Sequence, residues 1–204
     1  MNDLVIIGAS GHGKVIADIA CRVGYTNIVF LDDNENAKKC GEYEVVGGTQ
    51  KAREYAGADF IVAIGNAIIR RRFQEEIEAY GLNPVSLVHP AAVIAQSSAL
   101  GKGCVVMAGA VINPYVTIGK GCIINTCASV DHDCVIEDYV HVSVGAHIAG
   151  TVTVGENTWI GAGVIVSNNV RIVSDCMIGA GAVVVSDIKE SATYIGVPAK
   201  KMIK

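Results

Sequence analysis

Three residues in a row, Asp131-His132-Asp133, could move a proton. A carboxylate beside an imidazole fixes its tautomer and raises its basicity, which suits a general base. Either aspartate can serve, because neighbouring side chains often diverge. A second histidine, His141, follows nine residues later and a third, His147, six after that. Near the other end of the chain, Gly8-Ala9-Ser10-Gly11-His12-Gly13 could hold an anion on backbone amides. Asp32-Asp33 and Gly65-Asn66 could add side-chain contacts to the same ligand.

The elements that must position His132 are written in a fixed repeat. Sixteen aliphatic residues stand six apart from Ile94 to Val184, and each has a small or slender residue two places before it, as in Cys104 before Val106 or Ala128 before Val130. Burying one large and one small side chain per six residues is the mark of a parallel β-helix. Three hexapeptides make one triangular coil of 18 residues, so the repeats give just over five coils. His132 falls two places after inward Val130, on a corner, and His141 falls just before inward Val142, on a flat face. Nine residues is half a coil, which puts the two histidines on opposite sides of one prism. If both serve one site, that site lies between subunits. Gly150, 18 residues after His132, stacks beside it one coil on and leaves space by the imidazole. A coil has no polar core, so all three histidines should point outward. The tail from Tyr194 to Lys200 leaves the period and should pack back along the prism.

Residues 1–88 lack the period and read as a small α/β unit; 89–204 form the β-helix and its tail. Leu4 to Ile7 is a buried strand that ends in the glycine-rich turn. A helix follows from Lys14 to about Val23, stopped by Gly24. Further strands are Ile28 to Leu31 and Asp59 to Ile64, with a short helix from Gln50 to Tyr55 and a longer one from Ile68 to Tyr80. Strands alternating with helices imply a parallel sheet with right-handed crossovers. The turn reads Gly8-x-Ser10-x-x-Gly13, which lacks the middle glycine of a dinucleotide fingerprint, so a mononucleotide or the nucleotide half of a nucleotide-sugar fits better than a nicotinamide cofactor. Asp32-Asp33 ends the second strand, where such folds place a carboxylate on ribose or base. Asn66 either binds the ligand or caps the helix after it. Arg70-Arg71-Arg72 reads as a solvated helix face.

Composition removes other classes. The formal charge is -4 over 204 residues, so there is no basic footprint for nucleic acid. Mean hydropathy is +0.42, but no apolar run approaches the ~18 residues of a membrane span. The start, Met1 to Gly8, shows no leader pattern. Seven cysteines form no CxxC pair, and Cys104, Cys122, Cys134 and Cys176 fall in the inward column of small residues. The expectation is a reduced, cytoplasmic protein.

The repeats, the Val197-Pro198-Ala199-Lys200 tail and the histidine-bearing corner resemble hexapeptide-repeat acyltransferases. The glycine-rich turn, Leu31-Asp32-Asp33 and Ile64-Gly65-Asn66 narrow the resemblance to nucleotide-amino-sugar N-acetyltransferases of the bacillosamine type, grouped with sialic acid O-acetyltransferases. The resemblance implies a Rossmann-like domain followed by a left-handed β-helix. It implies a homotrimer with active sites between subunits, acetyl-coenzyme A as co-substrate, and no metal. By the same resemblance His132 is the general base and the acidic residue after it, Asp133, is its partner. His141 lies near the acetyl thioester, and Gly150, Ala162 and Ala180 line the coenzyme A groove. Asn125 is a further candidate. Ser10, Gly11, His12, Asp32 and Asp33, with Gly65 and Asn66, meet the nucleotide-sugar, expected to be a UDP-4-amino-sugar. The rivals are O-acetylation of a sialic acid or another sugar hydroxyl, and binding of a nucleotide-sugar without turnover.

Overall fold

A computed structural model describes residues 3–203; Met1 and Asn2, where the leader reading begins, and Lys204 lie outside the described residues. The chain divides into two compact units, Met1–Pro90 and Ala91–Lys204. The division falls two residues beyond the expected boundary.

The first unit is a mostly parallel sheet with helices. Its strands are β1 (Asp3–Ile7), β2 (Asn27–Leu31), β3 (Lys39–Cys40), β4 (Tyr43–Gly47), β5 (Asp59–Val62) and β6 (Asn83–Pro84), and its helices are α1 (Gly11–Arg22) and α2 (Ala67–Ala79). The sheet order is β3-β4-β2-β1-β5-β6, parallel except for the β3–β4 hairpin. β1 lies at the point where the strand order reverses, and the crevice outside its carboxyl end is where such sheets bind ligands. Helix α1 buries Gly13, Ile16, Ala17, Ile19 and Ala20. It begins three residues earlier than the periodicity predicts, because the Gly-His-Gly stretch already has helical geometry behind Ser10. Strand β4 is not expected from the sequence, since Glu44 interrupts its apolar signal and Gly47-Gly48 reads as a turn. The expected Gln50–Tyr55 helix is a 3-10 helix, Thr49–Tyr55.

The second unit is a left-handed parallel β-helix of two-residue strands, one per hexapeptide. Its three faces are stacked parallel sheets. One carries Val105–Val106, Ile123–Ile124, His141–Val142, Trp159–Ile160 and Met177–Ile178; the next begins at Val93–Ile94 and the third at Ala99–Leu100. From Val106 to Val184 every residue of the large inward column is at most 2% exposed. Ile94 and Leu100, in the first coil, are half-buried. All four cysteines of the small column are buried, and all seven in the chain are free thiols.

The corners add a second period. Every sixth residue from Gly103 to Gly181 has positive φ, fourteen in succession, and eight of them are not glycine. From Gly121 to Gly181 the N–H of nearly every one donates to the carbonyl 19 residues earlier, in the preceding coil: Asp133 to Pro114, Thr151 to His132, Asn169 to Gly150. This bond turns the chain and stacks the coils in one step. Glycine, Asn and Asp adopt the left-handed conformation most readily, whereas Thr151 holds it with a β-branched side chain.

The tail does not fold back along the prism. Thr193–Ile195 stacks parallel on Met177–Ile178, and Lys200–Lys201 returns antiparallel against it. The last coil thereby finds partners for its backbone groups, which would otherwise form an open edge.

Thr151→Gly is expected to raise stability by roughly 0.5–1 kcal/mol, the relief of left-handed strain less the added freedom of the unfolded chain. Ile136→Ala, at a fully buried position, is expected to cost about 2–5 kcal/mol. Chemical denaturation checks both; a lowered midpoint for Thr151→Gly would show an unstrained corner.

Candidate functional site

In the first unit, the glycine-rich loop joins β1 to α1. Gly8 has φ +107°, and a Cβ there would lie 2.9 Å from the Ala63 carbonyl oxygen. At Gly13 a Cβ would sit 2.5 Å from the Gly8 oxygen and 2.9 Å from the Phe30 ring. These two glycines are thus required for the turn and for helix-on-strand packing. Gly11 is different: a Cβ would meet nothing within 4 Å, so the front of the loop stays open. Ser10 is the N-cap, its side chain making no capping bond, and no acidic residue stands in the first turn of α1. The amide dipoles at the start of α1 thus meet no carboxylate from the helix's own first turn.

Several of the residues expected to meet a ligand also hold the loop itself. Asp32 accepts the Ala9 N–H at 2.6 Å and the Asn34 N–H at 2.8 Å, which ties the end of β2 to the loop. Asp33 accepts both the N–H and the hydroxyl of Thr49 at 2.8 Å through one oxygen, and it lines a cavity of about 600 Å³ with Asp32, Asn34, Glu35 and Gly47. Asn66 caps α2, its side chain accepting the Ile69 N–H. Gly65 presents its carbonyl to Arg70, whose guanidinium also holds the Ile64 carbonyl.

Arg70 is a correction, because it is 1% exposed rather than on a solvated face. Arg72 does lie on the surface, beside the Phe73 ring, and it lines a smaller cavity of about 190 Å³ with Gly8, Asp32, Asp33 and Thr49. The triple-arginine signal therefore held one structural residue and one cation at the loop. Beside them, the buried Nε2 of His12 makes no hydrogen bond among the described residues. Burial, then the charge of Arg70, lower the His12 pKa to about 4. A neutral ring can meet a phosphate by hydrogen bond but not by ion pair.

In the second unit, the corner decides between the two aspartates. His132 Nδ1 is 2.8 Å from Asp133 Oδ2. Asp133 is the left-handed residue of its corner, at φ +58°, and this backbone turn aims its carboxylate back at the ring. Asp131 instead accepts the His132 backbone N–H and the Asn113 side-chain amide, both at 2.8 Å. Asp133 raises the His132 pKa chiefly by that hydrogen bond, and the charge of Asp131 adds to it. With Nδ1–H donated to Asp133, Nε2 keeps a free lone pair. It lies over Gly150, where a Cβ would come within 2.6 Å of it.

His141 sits across the prism from His132. It is on the outer side of its strand yet only 7% exposed, because Trp159 stacks beside it with ring centroids 4.5 Å apart. Asn125 Oδ1 accepts the Thr126 N–H, which turns its Nδ2 toward His141 Nε2 at 3.1 Å. His147 is exposed and pairs with the Ser129 hydroxyl at 2.8 Å. Ala162 and Ala180 are both exposed, but they lie along a different corner from His132 and Gly150. One chain therefore does not bring all the candidate residues together. Among the described residues, no group of three or more His, Cys, Asp or Glu side chains forms a metal site, and no helix is long and apolar enough to cross a membrane.

Residues 3–77 match the family described as the PglD N-terminal domain. The acetyltransferase domain of PglB from Neisseria gonorrhoeae, solved in complex with acetyl coenzyme A, is 40% identical with TM-score 0.96, covering 99% of this chain and all of that one. The chain belongs to the hexapeptide-repeat nucleotide-sugar N-acetyltransferases. Another member, PerB from Caulobacter crescentus in complex with CoA and GDP-perosamine, is 36% identical with TM-score 0.94, covering 99% of this chain and 98% of that one. Among curated members, the UDP-N-acetylbacillosamine N-acetyltransferase of Bacillus subtilis is 34% identical over 53% of this chain and 52% of its own length. The GDP-perosamine N-acetyltransferase of Escherichia coli O157:H7 is 32% identical over 52% of this chain and 51% of its own. The chain thus spans about half the length of the curated relatives it matches.

Asp133→Asn is expected to lower the pH at which His132 titrates, and Asp131→Asn to lower it less. Histidine NMR titration checks the order; an equal or larger shift from Asp131→Asn would remove Asp133 as the partner.

Proposed function

We propose that this chain transfers the acetyl group of acetyl-coenzyme A to the amine of a nucleotide-linked amino sugar, with His132 as general base. The observation that carries the reading is the corner itself: an imidazole with Nδ1 held by Asp133 and Nε2 open over Gly150. Membership of the family and a relative solved with acetyl coenzyme A support it.

His132 Nε2 takes a proton from the amine as its nitrogen adds to the thioester carbonyl. Asp133 stabilises the imidazolium that forms. The tetrahedral adduct then collapses, the C–S bond breaks, and His132 returns the proton to the departing thiolate. Fixing both reactants supplies much of the rate. In the first unit the loop amides and Arg72 meet the diphosphate, Asp33 the ribose, and His12 adds a neutral contact. Relatives named for UDP- and GDP-sugars both match, and a UDP-4-amino-sugar is the acceptor we propose.

Because His132 and His141 lie on opposite sides of one coil, the complete site belongs between copies of the chain. A corner of one subunit then meets a face of the next in a homotrimer. Gly150 lies by the reacting group and Ala162 and Ala180 line the groove of the coenzyme. On this reading the protein works in the cytoplasm.

His132→Ala is expected to lower kcat by ~10²-fold or more, as for loss of a general base. Thiol release from acetyl-coenzyme A measures it, with UDP-, GDP- and dTDP-linked amino sugars and free and CMP-linked sialic acid as acceptors. Turnover confined to the sialic acids would move the assignment to O-acetylation. Silence throughout, with tight nucleotide-sugar binding, would make the protein a binder. Near-normal kcat in His132→Ala would remove the base.

A further inference from the structure

Ser143 carries a buried hydroxyl that the fold does not use. The residue is 6% exposed, and its Oγ has no hydrogen-bond partner among the described residues. Its backbone is fully engaged: the N–H donates to the Ile160 carbonyl at 2.9 Å, and its carbonyl accepts the Ala146 N–H at 3.1 Å. Nothing in the local fold therefore asks for an oxygen at this position. An alanine would fill it without burying a polar atom, and buried hydroxyls left unpaired are uncommon enough to need a reason.

The surroundings suggest the reason. Side chains two apart on a strand lie on one side, so Ser143 shares the outer side of its strand with His141. Eighteen residues earlier, and therefore one coil back in the same column, stands Asn125, whose amide is bound to His141 and to the Thr126 N–H. One coil on is Gly161, which has no side chain to offer. The Trp159 ring lies against His141, and His141 and Ser143 are both buried. The face thus presents a buried hydroxyl with its donor uncommitted, on the same side of the chain as the His141 imidazole. A neutral donor in such a setting is well placed for an oxygen that gains negative charge.

We propose that Ser143 is a further catalytic residue, its hydroxyl donating to the carbonyl oxygen of the acetyl thioester. The assignment rests on the transfer reading above, which puts the acetyl group beside His141. When the amine nitrogen adds, the C–N bond forms and the carbonyl π pair moves to oxygen. Ser143 holds that oxyanion by hydrogen bond and keeps its own proton. On collapse the C=O bond reforms and the thiolate leaves, while the amine proton travels by way of His132. Ser143 exchanges no proton and makes no covalent bond.

Ser143→Ala separates this role from a structural one. The expected result is a kcat reduced by ~10²-fold or more, as when one oxyanion donor is removed. KM for the amino sugar should change by less than about threefold, since the hydroxyl acts at the thioester. The acid limb of the pH profile should stay in place, because His132 and Asp133 are untouched. Thermal stability should hold or rise, because an unpaired buried oxygen has been removed. A kcat within twofold of the unaltered protein would overturn the assignment. So would lost activity accompanied by a lower melting temperature, which would mean that the hydroxyl has a structural partner. If the unaltered protein acetylates no acceptor at all, the transfer reading fails and this assignment with it. Loss confined to the variant speaks to Ser143 alone.

Discussion

The hydrogen bond from each left-handed corner residue to the carbonyl 19 positions earlier is the constraint on which the second unit depends. It sets the coil at 18 residues, so that large side chains stack on large and small on small. It also makes the His132 corner stiff. The His132 carbonyl is held from the next coil by Thr151, and the Asp133 N–H is held to the previous coil by Pro114. Asp131 adds a third tie through the His132 N–H and Asn113. A side chain that is about half exposed thus stands on backbone fixed from both sides. A general base needs that combination, since it must reach substrate without wandering.

The first unit solves a different problem. On the proposed reading its loop comes close to an anion, and several of its polar side chains hold the loop. Asp32 pins Ala9, Asn66 caps α2 and Arg70 holds the carbonyls of Ile64 and Gly65. What is left for a ligand is the amide end of α1, one oxygen of Asp33, the guanidinium of Arg72 and a neutral His12. On the proposed reading, recognition would rely on shape and dipoles more than on net charge, in keeping with the negative formal charge of the chain.

The parts of this that were legible in the sequence are those set by burial. The inward columns announce themselves because every sixth position must be apolar, and the corner location of His132 follows by counting. The left-handed period was equally regular in the backbone but hidden in the residue types. Six of its fourteen positions are glycine and four are Asn or Asp, but Tyr115, Cys127, Tyr139 and Thr151 break the pattern. That hidden period is what chooses Asp133 over Asp131, so the partner of His132 could not be read from the flanking residues. The burial of His141 depends on Trp159, a residue 18 positions away that periodicity places but does not orient. Strand β4 went unseen because it is half-exposed, with polar residues and glycine in its run. Arg70 looks like its neighbours on the chain; only the helix phase separates the buried member from half-buried Arg71 and exposed Arg72.

Two histidines are tuned in opposite directions, which fits the different roles proposed for them. Burial and the Arg70 charge lower the His12 pKa to about 4, so His12 stays neutral throughout the physiological range. It can orient a phosphate or a sugar hydroxyl, but it holds no proton to give. His132 is solvent-facing and paired with Asp133, which raises its pKa. That makes it the stronger base of the two, though it is available as a base only above its own pKa. Activity should therefore rise with pH through the titration of His132, with no contribution from His12. Removing the Asp133 carboxylate would extend the neutral form of His132 to lower pH, yet it would weaken the lone pair that accepts the proton. The corner thus gives up some activity on the acid side for basicity in the neutral range. That exchange suits the proposed acceptor, whose nucleophile becomes acidic only as it adds to the carbonyl and needs a base at that moment.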